Sequence, residues 1–155
     1  MINIRKGKKE DLPQVLKLIH ELAVFEKAPN EVENNVEKML EDGFGEKPVF
    51  EFFVAETDTQ IIGTAIYYYS YSTWKGRCLY LEDLVVSESF KRQGIGKLLF
   101  NQLISQAKKE KVARLSWQVL DWNEPAINFY KKLNADLDSE WINCKLTREQ
   151  LEIKS

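Results

Sequence analysis

The sequence predicts an α/β fold in which a mixed central sheet is flanked by helices. Short apolar segments of strand type recur between stretches of helical period. Their order is one strand, two helices and an antiparallel run of three strands, the last of which opens a β-α-β-α-β run, and this calls for a mixed sheet covered by helices. No linker, internal repeat or low-complexity tract interrupts the 155 residues, so positions 1–155 are read as one domain.

Each element has its own signal. Residues 2–6 alternate and form a first strand. Over residues 11–25, Leu12, Val15, Leu16, Ile19, Leu22 and Ala23 recur at helical spacing, and Pro13 falls in the first turn, where its missing N–H is tolerated. A second short helix is expected over residues 33–41, broken by Asp42-Gly43-Phe44-Gly45. Residues 50–56 and 60–71 follow as strands separated by the hairpin-like turn Thr57-Asp58-Thr59, and residues 77–86 are the third strand of the run. The period then becomes helical over residues 94–109, with Ile95, Leu98, Leu99 and Leu103 on one face. Residues 114–120 read as a strand, 125–133 as a short helix and 141–146 as a final strand. Thr147 with Gln150 makes a capping box for a C-terminal helical turn.

Composition narrows the function. With 44% hydrophobic and 30% charged residues the chain can bury a core and remain soluble. A net charge of −2 does not suggest wholesale nucleic-acid binding, while leaving room for a local phosphate-binding patch. Cys78 and Cys144 lie in strand-like segments without metal spacing and read as reduced thiols. The N-terminus has no apolar core of signal-peptide length and no run approaches the ~18 apolar residues of a membrane span, so the cytoplasm is the expected compartment and no membrane partner is expected. His20, the single histidine, sits mid-helix and reads as structural or surface; neither a metal site nor a Ser-His-Asp set is available.

Three segments carry chemistry. The first is Lys91-Arg92-Gln93-Gly94-Ile95-Gly96-Lys97, after a strand and opening a helix. Its glycines let the backbone turn, the free N–H groups of the helix start can converge on an anion, and the helix dipole adds to the attraction. It matches neither GxxxxGK[ST] nor GxGxxG. The alternative is a tight strand–helix turn with surface basics. The second is Tyr80-Leu81-Glu82-Asp83-Leu84-Val85-Val86, where two carboxylates interrupt an apolar strand. A buried unpaired charge is costly, so these acids need a partner, a solvated cleft or a task. Regular alternation puts Glu82 and Asp83 on opposite faces, so only one faces a given site. The third is Trp122-Asn123-Glu124-Pro125-Ala126-Ile127-Asn128-Phe129-Tyr130. Asn123 and Pro125 suit a helix start, and Ala126, Phe129, Tyr130 and Leu133 form a stripe. Tyr130 fits a core aromatic; a phenol is also a competent proton donor to a developing thiolate.

Taken together, these segments resemble the GNAT superfamily of N-acetyltransferases. Gln93-Gly94-Ile95-Gly96 is similar to its acetyl-CoA pyrophosphate loop. The likeness to the diamine and thialysine acetyltransferase branch is tighter and spans nearly the whole chain. It runs from Ile19-His20-Glu21-Leu22-Ala23 and Phe25-Glu26 through Leu40-Glu41-Asp42-Gly43-Phe44-Gly45-Glu46, Tyr67-Tyr68, Trp74 and Gly76. It continues through Tyr80-Leu81-Glu82-Asp83 and Trp122-Asn123-Glu124-Pro125 to Asn128-Phe129-Tyr130.

The resemblance implies Tyr130 as the general acid that protonates the departing CoA thiolate, and Glu82 as the contact and proton acceptor of the substrate amine, through water. It implies acetyl-CoA contacts from Leu84, Val85 and Val86 and from Lys91, Arg92, Gln93, Gly94, Ile95, Gly96 and Lys97, with Asn123, Glu124, Pro125 and Ala126 beside the pantetheine arm. It places Phe25, Glu26, Ser116, Trp117 and Gln118 at the amine, with Glu140 as a further contact. It also implies a homodimer. The chain departs from the superfamily at Lys91, where Arg or Gln is usual, and at Arg92, which replaces a common glycine. It departs again at Asn134, where a glycine often follows the helix, and at Leu133, where a basic CoA contact can occur.

A lysine-like amine with a pKa of ~10.4 is protonated at neutral pH and attacks a thioester only after losing a proton. A carboxylate such as Glu82 meets the need to bind the cation and then take the proton, and a backbone N–H, that of Leu84, would meet the oxyanion. Glu26, Glu82 and Glu140 would make the acceptor mouth negative, and Tyr67, Tyr69, Tyr71 and Trp74 would line its apolar part or simply pack the sheet. The acceptor is a polyamine, thialysine, another amino-acid side chain or a protein amine. The rival outside enzymes is an idle acetyl-CoA sensor, against which the presence of both Glu82 and Tyr130 speaks.

Overall fold

The computed structural model describes residues 1–153; Lys154 and Ser155 lie outside the described residues. The chain forms two compact units, Met1–Gln118 and a second that begins at Val119. The first holds β1 (Asn3–Lys6), α1 (Leu12–Phe25), α2 (Val36–Phe44), β2 (Glu51–Glu56), β3 (Ile61–Ser72), β4 (Gly76–Val86), α3 (Ile95–Glu110) and β5 (Leu115–Ser116). The second holds α4 (Glu124–Lys132) and α5 (Arg148–Ile153). The mixed sheet is ordered β1-β2-β3-β4-β5, antiparallel from β1 to β4 and parallel between β4 and β5.

The helical stripe of α1 forms one apolar layer: Leu12, Val15 and Leu18 pack with Met39 of α2 on Phe52, Val54, Ile66 and Val85. On the other face, Ile95 and Leu99 of α3 lie over Gly63 and bury together with Phe100 and Leu103. A bidentate pair ties the start of α1 to the edge strand: Arg5 Nη1 and Nη2 donate to Asp11 at 2.8 and 2.9 Å, and the Lys8 N–H donates to the same carboxylate at 2.8 Å. Arg5 therefore holds the Asp11 carboxyl below the usual carboxylate range.

Three elements differ from expectation. The second helix begins at Val36, where the Asn35 side chain accepts the Lys38 N–H at 2.8 Å, and runs through Asp42-Gly43 to Phe44 instead of breaking there. Gly43 is needed for closeness: a Cβ on it would stand 2.7 Å from the Phe50 ring. The strand expected over residues 114–120 is reduced to Leu115–Ser116, paired with Leu79 and Tyr80. The final strand expected over residues 141–146 does not form; Trp141 and Ile142 are exposed and no described strand pairs with the segment. Strand-like alternation there meets no ladder partner, and a strand without a partner leaves its backbone groups to water. The capping box is present as read: Thr147 N–H donates to Gln150 Oε1 at 2.8 Å and Gln150 N–H to Thr147 Oγ1 at 3.3 Å.

Candidate acceptor and anion site

The β4–β5 ladder ends at the Tyr80–Ser116 pair, but β4 runs on to Val86. Within the first unit, Leu81 to Val86 therefore have a strand neighbour only on the β3 side. Backbone donors and acceptors left open along a strand edge bind an extended, amide-bearing partner well. Leu84, Val85 and Val86 lie on this stretch, and Ser116 ends the ladder that stops short of it. Beyond Ser116, Trp117 packs edge-on against Phe100 at 5.0 Å, and Gln118 is exposed.

The loop after β4 leads into α3. Arg92 takes φ 66° and Gly94 φ 79°, both left-handed, which gives a physical reason for glycine to be usual at the Arg92 position. The first bond within α3 is Leu98 N–H to Gly94 O at 3.1 Å, so the amides of Ile95, Gly96 and Lys97 precede it. A Cβ on Gly94 would meet nothing within 4 Å, and one on Gly96 only Val86 Cγ2 at 3.8 Å. Packing within the protein thus does not demand glycine at position 96, where it costs a helix ~1 kcal/mol relative to alanine. The bare backbone leaves room for a bulky anion, and three amides with the positive end of a helix dipole suit a pyrophosphate. Lys91, Gln93 and Lys97 are exposed around it. Lys91 Nζ is 2.9 Å from Glu88 and 4.5 Å from the centre of the Phe25 ring, so it also borders the end of α1.

The acids on β4 are not arranged as alternation requires. Ile66 pairs with Asp83 and Tyr67 with Leu81, which leaves Glu82 as an extra residue in the ladder, a β-bulge. Paired residues share a face, so Asp83 lies with Ile66 and Val85 on the α1 side, while Leu81 lies on the opposite side with Tyr67. Glu82 acts electrostatically on Tyr68 and Tyr80, whose rings meet at 5.2 Å on the same side as Asp83. The opposite-face expectation for Glu82 and Asp83 is therefore corrected: the bulge serves both to one side. Glu26, just past α1, is the third carboxylate there. Burial raises Glu26; burial first, then Glu82 and Glu26, push Asp83 up to about 6.

The aromatic lining also differs from expectation. Tyr67 is buried and stacks on Phe53 at 5.5 Å; the Tyr69 hydroxyl donates to Glu110 at 2.6 Å; Tyr71 and Trp74 are exposed. Tyr68 and Tyr80 are the aromatics beside the acids. An open cleft of ≈ 420 Å³, lined by Pro48, Val49, Phe50, Glu51, Tyr68 and Tyr69, adjoins them through Tyr68.

The second unit holds the remaining expected residues. Asn123 caps α4, its side chain accepting the Ala126 N–H at 3.4 Å, with Glu124 and Pro125 in the first turn. Tyr130 is buried, its ring 5.4 Å from that of Phe129 in an edge-on pair. Asn134 takes φ 61°, the left-handed conformation that its amide side chain tolerates. Glu140 is exposed, and its N–H donates to Asp138 at 2.9 Å. Among the described residues no cluster of His, Cys, Asp and Glu suits a metal ion, and no helix is long and apolar enough to cross a membrane.

Known proteins resemble the chain along most of its length. The sequence model of the acetyltransferase (GNAT) family matches residues 15–135. A thialysine N-epsilon-acetyltransferase of Bos taurus is 39% identical over 142 residues, spanning 86% of this chain and 84% of that protein. A spermidine/spermine N(1)-acetyltransferase-like protein 1 of Homo sapiens is 35% identical over 158 residues, spanning 96% of this chain but 23% of that longer protein. Among solved structures, an integron cassette protein from the mobile metagenome of V. cholerae matches with a TM-score of 0.81 at 23% identity, over 99% of this chain and 98% of that one, a likeness of fold alone.

Proposed function

Because the chain belongs to the acetyltransferase (GNAT) family, we propose that it transfers the acetyl group of acetyl-CoA to a primary amine of a small cationic substrate. That substrate is a diamine, a polyamine or a thialysine-like amino acid, the classes named for its relatives. One observation carries the reading: within the first unit, the open edge of β4 leads directly into a helix start whose first amides precede the helix's own bonds, and Glu82 sits on that strand, exposed and without a hydrogen-bonding partner among the described residues.

The residues then divide the work. The amides of Ile95, Gly96 and Lys97, with Lys91, Arg92 and Gln93 around them, hold the pyrophosphate. The open edge at Leu84, Val85 and Val86 binds the pantetheine amides, and Asn123, Glu124, Pro125 and Ala126 border the same arm. Glu82, Glu26 and Phe25 receive the ammonium group, with Ser116, Trp117, Gln118 and Glu140 completing the acceptor side. A carboxylate at Glu82 takes the proton that the amine must lose, through water; the free amine attacks the thioester carbonyl, and the Leu84 N–H stabilises the oxyanion. Tyr130 then protonates the departing thiolate. A homodimer and a cytoplasmic location belong to the same reading.

The test is thiol release from acetyl-CoA across diamines, polyamines, thialysine and ornithine. Release is expected with at least one cationic primary amine and should fall about 10²-fold in Tyr130→Phe, while acetyl-CoA binding persists. Acetyl-CoA binding without release on any amine would instead identify a non-catalytic sensor. Unchanged turnover in Tyr130→Phe would remove that residue from the acid role.

A further inference from the structure

The cleft beside Tyr68 has no part in the transfer described so far. β2 begins at Glu51, opposite Tyr67, while β3 runs on to Ser72. From Tyr68 onward β3 therefore lacks a strand on the β2 side, and Pro48, Val49 and Phe50 wall the resulting notch of ≈ 420 Å³. That wall is fixed from behind. Val49 N–H donates to Asp42 O at 2.7 Å, on α2, and Phe50 packs on the layer formed by α1 and the sheet, its ring 6.0 Å from that of Phe52. The backbone of Val49 is thus tied down while its side chain stays 63% exposed. An aliphatic side chain held in place yet left uncovered offers binding surface at little ordering cost.

The polar groups of the cleft are already engaged. Glu51, its one carboxylate, accepts from Lys6 Nζ, and the Tyr69 hydroxyl donates to Glu110. The remaining walls are Pro48, Val49, Phe50 and the ring of Tyr68. Tyr68 is also where the cleft meets the acids: its ring lies 5.2 Å from that of Tyr80, and the Glu82 charge acts on both phenols. An acidic acceptor site therefore adjoins an apolar space whose only carboxylate already has a cation.

We propose that this cleft is an acceptor subsite for an apolar tail, and that the protein also acetylates arylalkylamines, primary amines with an aromatic ring two or three carbons from nitrogen. This rests on the acetyl-transfer reading above. The ammonium group meets the acids of β4, and the ring crosses Tyr68 to lie against Val49 and Phe50. A volume of this size falls in the range of small-molecule sites, ~300–1,000 Å³. A ring that leaves water against aromatic and aliphatic walls gains binding that a second ammonium would not find there. The chemistry is unchanged. The ammonium loses its proton, the nitrogen pair attacks the thioester carbonyl, the C–S bond breaks, and the products are the N-acetyl arylalkylamine and the protonated thiol of CoA.

The experiment compares thiol release on 3-phenylpropylamine and propylamine, which share the reacting amine and differ by the ring. In the native protein kcat/KM is expected to be at least about 10-fold higher for the aryl amine. Val49→Asp, on an exposed side chain whose backbone bond is retained, should lower that ratio about 10-fold and raise kcat/KM for 1,5-diaminopentane, whose second ammonium then finds a carboxylate. Val49→Thr, of nearly the same shape, should lower the ratio by a smaller factor and serves should Val49→Asp fold poorly. A native ratio near 1, or one that neither Val49 variant changes, would overturn the subsite and leave the transfer reading standing. No release on any amine, diamines included, would overturn both.

Discussion

Residues Met1–Gln118 and the unit that follows differ first in what they bury. Every buried hydrophobic side chain of the described chain lies in the first unit, Tyr130 excepted. There, two helical layers cover a sheet in which each strand has at least one hydrogen-bonded neighbour. From Val119 onward, the two helices are short, and the segment from Trp141 to Leu146 is exposed along its length. Apolar periodicity becomes structure where a second surface is available to receive it. The stripe of α1 meets Phe52, Val54 and Ile66, whereas the alternation after Glu140 meets no strand.

The largest effect expected from this contrast is in the core. Leu99→Ala empties a fully buried position and should lower stability by about 2–5 kcal/mol in urea unfolding, whereas Ile142→Ala should change it by less than about 0.5 kcal/mol. Comparable losses at the two positions would erase the contrast. A smaller effect, opposite in sign, is expected at the acids. Asp83 has a raised folded pKa, so its ionisation opposes folding at neutral pH; the penalty is full above about 6 and fades as pH falls toward the unfolded value of 3.8. Asp83→Asn should therefore raise Tm at pH 7 by about 2–4 °C, equivalent to ~1 kcal/mol once partial hydration is allowed for, with no gain below pH 4. A loss of stability at pH 7 would show that the carboxylate has a cationic partner after all. The smallest effect belongs to the capping box. Thr147→Ala should speed amide exchange at Leu151, whose N–H donates to Thr147 O at 2.9 Å, without moving the global unfolding midpoint.

Much of the first unit is legible in the sequence because its cues are local. β1 to β4, α1 and α3 follow periods of two or 3.6, and the glycine loop falls where its backbone conformations require. The failures are positions where a distant partner decides. Gly43 reads as a breaker, but the Phe50 ring makes it a contact residue inside α2. Tyr67 and Tyr69 read as possible pocket walls, but Phe53 and Glu110 claim them for the core and for the end of α3. The bulge has no local signature, since neither Glu82 nor Asp83 is a glycine, and the registration of β3 against β4 places it. Asp83 is missed for the same reason: strict alternation sends it to the wrong face.

The bulge in β4 has a consequence for anyone who would transplant this pair of acids. Copying the two acidic side chains onto an ordinary ladder would separate them by the thickness of the sheet. Inserting one residue between Ile66 and Tyr67 of β3 would give Glu82 a partner, restore a smooth ladder here and send the two acids to opposite faces. What must be carried over is a miscount between neighbouring strands, a property that belongs to neither side chain.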